Sequence, residues 1–444
     1  MQPPPLPHPA EGLSVHGASV SRRRHVVLWA LVASTMSWAA RASADPVSLS
    51  SAFETAKREN ARIVTARHRL TAARADSITA GLLPNPTLDV GALAFTHGGA
   101  ITGGREEVTF GLAQQAPIFG SLGLRREAAE QFASAEEREA AETVWQTLCD
   151  VKSAYLQLQL AQAKVRIYEI ARGDLDRAYA IIQERVTGGA NPKYDRARIA
   201  IERGNLSTRL ADAEVERAEA RIALTLAVGG TTLKSREISA EGVPSAPAAP
   251  PTDVDALVGR ALERRPSARA AELRIESNKS TVSYYSRARL PVPELRIAYG
   301  RYLRVPGADS SGGALLGGIN LPLPLFDRNQ GRIDRAEAEV RIADSERGAL
   351  RRQIQLDVER AHAELEIRVR AWSTFKGEIT AEVASMRQAA EMLYKEGRSS
   401  VLELLDAYRA FLESEERGLE LRSKALQASF DLERAVGPAG SSSR

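Results

Sequence analysis

The chain has 444 residues, 43% hydrophobic and 26% charged, with a formal net charge of +4 and a single cysteine. Its first 44 residues hold four arginines and one glutamate, so the remainder carries 56 basic and 55 acidic side chains. That near-neutral balance removes the basic surface a nucleic-acid partner needs, and one cysteine excludes a disulfide framework or a cysteine-based metal centre.

"SRRRHVVLWALVASTMSWAARASA", from Ser21, has a basic run at Arg22–Arg24, an apolar core from Val26 to Ala40 and a small-residue site at Ala42-Ser43-Ala44. It reads as a secretory signal over 1–44, because a core of about 15 residues is too short for a helix that crosses a bilayer. No later stretch reaches the roughly 18 consecutive apolar residues of a membrane helix. An exported chain of this kind is either soluble or a β-barrel.

The mature chain is duplicated. Each half opens with a similar helix start, "AKRENARIVTA" from Ala56 and "ALERRPSARAA" from Ala261. A paired-proline step follows in each, "LLPNPTLDV" from Leu82 and "LPVPELRI" from Leu290. Two extended segments come next, then a long helix, a Gly break, a second helix and "AVG". The first repeat is placed at 45–238 and the second at 254–437, with a Pro/Ala-rich linker at 239–253 and a disordered tail at 438–444. The linker is expected to lack regular structure.

Strands are predicted over Thr87–Thr96, Glu107–Ala116, Glu294–Leu303 and Ala314–Leu321. Leu295, Ile297 and Tyr299 alternate with Arg296, Ala298 and Gly300, and Val108, Phe110 and Leu112 alternate with Thr109, Gly111 and Ala113. One apolar and one small or polar face is the transmembrane-strand pattern, and equally that of a half-buried soluble hairpin. The segments from Leu122 to Thr187 and from Asn329 to Glu396 contain no proline. Each predicts a helix about 100 Å long at 1.5 Å per residue. The first carries two apolar stripes, Val151-Tyr155-Leu158-Val165 and Leu156-Leu160-Ala163-Ile167-Ile170. Two stripes require two neighbours, as in a wall of helices.

Four strands cannot close a barrel, whereas four from each of three chains would supply twelve, with twelve helices continuing them. The expected fold is therefore α+β, with four strands per chain that three chains would pool into a 12-stranded β-barrel continued by a 12-helix tube. "QAPIFG" and "PLPLFD" place Pro117, Phe119, Pro324 and Phe326 where each strand hands over to a helix. Proline cannot donate into the ladder and ends the pairing there.

"LLPNPTL", "PLPLFDRNQGRI" and "EGRSSVLELLDAYRAF" carry a resemblance. With these motifs the chain resembles the TolC-type outer-membrane efflux family, in particular the CzcC/CusC-like heavy-metal branch, over essentially the whole mature sequence. The resemblance implies a homotrimeric exit channel in outer-membrane lipid. Its periplasmic tip would dock on an adaptor (a membrane fusion protein) bound to an inner-membrane RND-type pump. Passive conduction of divalent heavy-metal cations is the implied function. A drug or polypeptide exit duct of the same fold is the alternative within transport. A soluble periplasmic coiled-coil scaffold or adaptor is the alternative of another class. Lipidated relatives carry a cysteine at the mature N-terminus, where this chain has Asp45, so no lipid anchor is expected.

At the tips, "RVTGGANPKYDRA" and "LYKEGRSSVLELLDA", the resemblance implies adaptor docking through Gly188, Gly189, Gly397, Ser399 and Ser400. The same residues also read as helix-ending chemistry. Gly is the usual residue past a C-cap, Asn191-Pro192 is an N-cap with Pro at N1, and Ser400 to Glu403 is a capping box. Glu403 and Asp406 share a helical face and fall where the family has acidic aperture residues; three copies would ring a constriction with six carboxylates. Asp195 matches in the first repeat, and Tyr394 falls where a family tyrosine helps hold the gate shut. His8, His16 and His25 lie in the signal, while His68, His97 and His362 are scattered without metal-site spacing. With no nucleophile, phosphate loop or dinucleotide fingerprint, the chain reads as a non-enzyme without cofactor.

Overall fold

The structure is a computed structural model that describes residues 45–93, 106–187, 193–230, 238–242, 249–303 and 312–438. The expected signal, and Gly188, Gly189, Asn191 and Pro192 at the first tip, lie outside the described residues.

In the first repeat β1 (Asp45–Val47), α1 (Leu49–Glu59) and α2 (Ala61–Gly81) precede strands β2 (Thr87–Leu93) and β3 (Glu106–Gln115). Helices α3 (Ser121–Thr187) and α4 (Lys193–Val228) and strand β4 (Ile238–Ala240) follow. The second repeat runs α5 (Val254–Arg264), α6 (Pro266–Arg287), β5 (Glu294–Leu303), β6 (Gly313–Asn320), α7 (Gln330–Glu378), α8 (Thr380–Lys395) and α9 (Val401–Val436).

Strands β2-β3-β5-β6 form one antiparallel sheet in which β3 and β5 join the repeats. The register lines up Leu88, Leu112 and Ile297 in one row, and Val90, Phe110, Tyr299 and Leu315 in another. These side chains are exposed on one face. The opposite face is mostly small and polar, with rows Asp89-Gly111-Ala298-Leu316 and Gly91-Thr109-Gly300-Ala314 in which Leu316 is the one large apolar side chain, and Arg296 pairs with Asp89 at 3.4 Å. The alternation read from sequence is thus one continuous apolar band. Among the described residues the sheet is open, with β2 and β6 at its edges.

Each strand is continuous with a helix: α2 leads into β2, β3 into α3, α6 into β5 and β6 into α7. The helical wall therefore repeats the order of the sheet. In its upper half α3 packs between α2 and α6, and α6 packs on α7; lower down α3 packs on α4 and α9, and α9 on α7 and α8. The edges of the wall are α4/α2 on one side and α7/α8 on the other.

The short helices stack end to end to match the 67-residue α3. At the first joint Asn60 splices α4 to α2. Its Oδ1 accepts from Arg62 N (2.9 Å), capping α2, while its Nδ2 donates to the Ala227 carbonyl at the end of α4 (2.9 Å). The N-terminus of one helix thereby meets the C-terminus of the other, a favourable alignment of dipoles. At the second joint Arg265 has no capping side chain, and Glu142 of α3 supplies the acceptor instead, taking Ser267 N and Arg265 Nη2, each at 3.3 Å. Asp150 of α3 accepts from Arg62 near one joint and Arg434 near the other.

Two expectations are corrected. The second long helix is interrupted by a distortion at Ile379 (φ −111°) between α7 and α8, although Ile379 N still donates to the Phe375 carbonyl (3.1 Å) and its own carbonyl accepts from Val383 N (3.1 Å). The run Gly377-Glu378-Ile379-Thr380 combines a glycine with two β-branched residues, all weak helix formers. The linker begins inside a strand, since Ser239 and Ala240 belong to β4, which pairs in parallel with β1. Tyr155 fastens this small sheet: its hydroxyl donates to the Val47 carbonyl (2.9 Å) and accepts from Glu241 N (2.8 Å). Cys149 is buried, as a small core residue, and burial pushes its thiol up to about 11.

Candidate functional site

The second helical turn closes by backbone chemistry. Gly397 is left-handed (φ +75°), and Arg398 N donates back to the Leu393 carbonyl at 2.9 Å. Ser400 then caps α9, its Oγ accepting from Glu403 N at 3.3 Å. This is half of the expected capping box; the Glu403 carboxylate makes no return bond among the described residues. Val401, Leu404, Leu405 and Tyr408 face a core shared with Ile182 of α3, Ile199 of α4 and Tyr394 of α8. That packing fixes the rotation of α9 and leaves Glu403 and Asp406 together on its exposed face. Ser399 is half-buried and Ser400 exposed in the turn. Asp195 is half-buried in the first turn of α4. Tyr394 is placed differently from the acidic pair, at 1% exposure inside the core.

Above this core the two hairpins are tied by ion pairs. Buried Asp174 of α3 accepts from Arg177 and from Arg387 of α8, whose guanidinium also lies 4.3 Å from the Phe411 ring centre of α9. Glu202 of α4 accepts from Arg409 of α9, and Arg209 approaches Glu416 at 3.6 Å. The Arg409 hydrogen bond holds the Glu202 carboxyl below the usual carboxylate range, against the opposing effect of burial. Burial, with Glu391 and Asp174 nearby, pushes the Tyr408 hydroxyl up to about 12. Sequence reading missed these ties because they join residues about 200 positions apart. The available signal was an aspartate, Asp174, set among the apolar positions Tyr168, Leu175 and Ala178.

At the strand-to-helix junctions Ala116 N donates to the Pro293 carbonyl (2.8 Å), and the chain past Pro117 turns through Ile118, Phe119 and left-handed Gly120. Past Pro324, Leu325 N donates to the Leu323 carbonyl (2.9 Å) and Phe326 stands 90% exposed. No helix among the described residues is long and apolar enough to cross a membrane. No described group of three His, Cys, Asp or Glu side chains could hold a metal ion. His362 Nε2 donates to the Pro251 carbonyl at 2.6 Å, holding the end of the linker on α7.

An exposed amphipathic sheet continued by a wall of very long helices defines the class of outer-membrane channels with a helical extension. Residues 52–230 and 257–438 match the outer membrane efflux protein family, and the chain belongs to it. It is 24% identical to the cobalt-zinc-cadmium resistance protein CzcC of Cupriavidus metallidurans, over 89% of this chain and 91% of that one. Among solved structures it shares the fold of CusC, at 20% identity and a TM-score of 0.67, covering 88% of this chain and 92% of that one. It also shares the fold of the Campylobacter jejuni CmeC outer membrane channel, at 14% identity and a TM-score of 0.71, covering 88% and 85%. The scaffold reading is not favoured; the chain is an outer-membrane efflux protein.

Proposed function

We propose that three copies of this chain close into a passive duct, and that the duct releases divalent metal cations delivered by a periplasmic adaptor and an RND-type pump. The observation that carries the closure is the coincidence of edges. Strand β2 and helices α2/α4 form one edge, β6 and α7/α8 the other, in the same order through sheet and wall. Opposite edges joining head to tail would close a twelve-stranded, twelve-helix ring and leave no strand edge in lipid. The cargo is supported by likeness to CzcC and by the paired carboxylates Glu403 and Asp406. Three such pairs around a constriction favour cations and repel anions. Gly188, Gly189, Gly397, Ser399 and Ser400, at the turns of rigid hairpins, are assigned to adaptor docking, and Asp195 to the rim of the aperture. Tyr394 would act on the aperture through packing. Pro117, Phe119, Pro324 and Phe326 end the membrane strands. The first 44 residues would direct export.

Single-channel recording in planar bilayers tests this reading. Small, cation-selective openings are expected for the wild type, and larger or less selective ones for Glu403→Ala/Asp406→Ala. Channels unchanged by the double substitution would remove the aperture assignment. A folded trimer that never conducts would remove the duct.

A further inference from the structure

The foot of the sheet carries positive charge that no described acidic side chain pairs. Asn329 is left-handed (φ +58°), and its Nδ2 donates to the Ala288 carbonyl at 2.8 Å. That bond draws the start of α7 against the end of α6, and so gathers Arg328 and Arg332 with Arg287 and Arg289. All four are exposed, and none has an ion pair among the described residues. The first repeat spends its arginines internally: Arg125 donates to the carbonyls of Ala80 (2.7 Å) and Leu82 (2.9 Å), and Arg126 pairs with Glu130 (2.7 Å). Three carboxylates share the region, Glu294 at the start of β5, Asp327 and Asp334, and Asp327 Oδ1 is engaged by Asn329 N at 2.8 Å. Four arginines against three carboxylates leave a cationic excess.

An apolar strip lies directly beside this charge. Leu321, Leu323 and Leu325 extend the odd-numbered alternation of Leu315 and Ile319, at 46%, 67% and 63% exposure, and Phe326 follows. Apolar side chains for about the width of a strand end, then unpaired guanidinium groups, match the step from acyl chains to phosphates at a bilayer surface. Arginine suits that step, with an apolar stem and a planar fork that pairs with phosphate oxygens.

We propose that Arg287, Arg289, Arg328 and Arg332 form a rim that binds the phosphate headgroups of anionic phospholipid in the periplasmic leaflet, fixing the depth of the barrel. This rests on the lipid-facing reading of the sheet. The test equilibrates purified trimer in micelles holding equal amounts of phosphatidylglycerol and phosphatidylcholine, then measures the lipid retained after gel filtration. The wild type should retain phosphatidylglycerol in excess over the supplied ratio, and less so as salt rises. Arg287→Gln/Arg289→Gln/Arg328→Gln/Arg332→Gln should return the ratio to that supplied, each arginine accounting for about fivefold in affinity. The pair Arg287→Gln/Arg289→Gln alone should lose part of the excess. Arg351→Gln/Arg352→Gln, exposed in the middle of α7, should keep all of it. An unchanged excess in the fourfold variant would overturn the rim. Displacement of the lipid by inorganic phosphate at similar concentration would reduce it to a free-anion site. Loss of the trimer would make it a contact between copies. A wild-type trimer that retains neither lipid would instead sink the lipid-facing reading beneath it.

Discussion

Glu202 reaches from α4 to Arg409 of α9, so one hydrogen-bonded ion pair joins the two hairpins beside the tip core. Its carboxyl titrates lower in the folded chain than in the unfolded one, chiefly because Arg409 bonds to the charged form. The folded state therefore binds fewer protons than the unfolded state near the ordinary glutamate range. The resulting stability is fully present above a pH of about 4.3, and is lost as pH falls through the lower folded value. Glu202→Gln should lower stability by roughly 1–2 kcal/mol at neutral pH, toward the low end for a hydrogen bond to a charged group because Arg409 is half exposed to solvent. Thermal melts of both proteins down a pH series should converge once the pH falls below the lowered folded-state value of Glu202. A gap that stays constant across the series would show that Glu202 acts by packing alone. Asp174, tied to Arg177 and Arg387 at a buried position, belongs to the same set of cross-hairpin contacts.

The helix joints show the same economy among elements. Asn60 is buried and serves two helices at once, capping α2 and satisfying a terminal carbonyl of α4. Gly229, just past α4, is left-handed (φ +69°), and a Cβ there would come within 3.1 Å of Asn60 Cα. Asn60→Ala should cost about 1–2 kcal/mol, and more than an ordinary cap because it also orphans Ala227 O. Hydrogen exchange should rise at both Arg62 and the last turn of α4; a rise at Arg62 alone would show that the splice adds nothing to the cap. The sequence displayed these elements because their signals are local. Proline-free apolar stripes located α3, alternation located β3 and β5, the duplicated pattern of extended segments located β2 and β6, and Gly397 with Ser400 marked the second turn. What it hid depends on contacts distant along the chain. The β1–β4 pairing, each strand only three residues long, offers almost no periodicity. The break at Ile379 is a small imbalance between local propensity and neighbouring packing. Glu403 and Asp406 were legible as a helical face, while the burial of Tyr394 follows from four helices converging at the tip.

At the scale of the whole molecule the decisive feature is an edge that one chain cannot cover. On α4, Ile201, Val215 and Ile222 recur at heptad spacing with Thr208 and are 60%, 58% and 52% exposed. Small residues Ala197, Gly204, Ala211 and Ala218 fill the alternate heptad position. This is a seam for close helix packing with no described helix of its own chain against it. The opposite edge carries Ile367, Met386 and Met392, also exposed, at 64%, 43% and 61%. A lone chain should tolerate Val215→Lys/Ile222→Lys, since exposed substitutions away from special features change stability by about 0.5 kcal/mol or less. In a closed ring the same lysines would be driven into an apolar interface, where unpaired charge is costly. The expected outcome is loss of the trimer on gel filtration in detergent, with helical circular dichroism preserved. Trimers as heat-resistant as the wild type would place the contact between copies elsewhere, and would leave the order of edges without its mechanical consequence. Disassembly with intact helices would mean that the half-exposed seam of the single chain is the lock by which three chains become one duct.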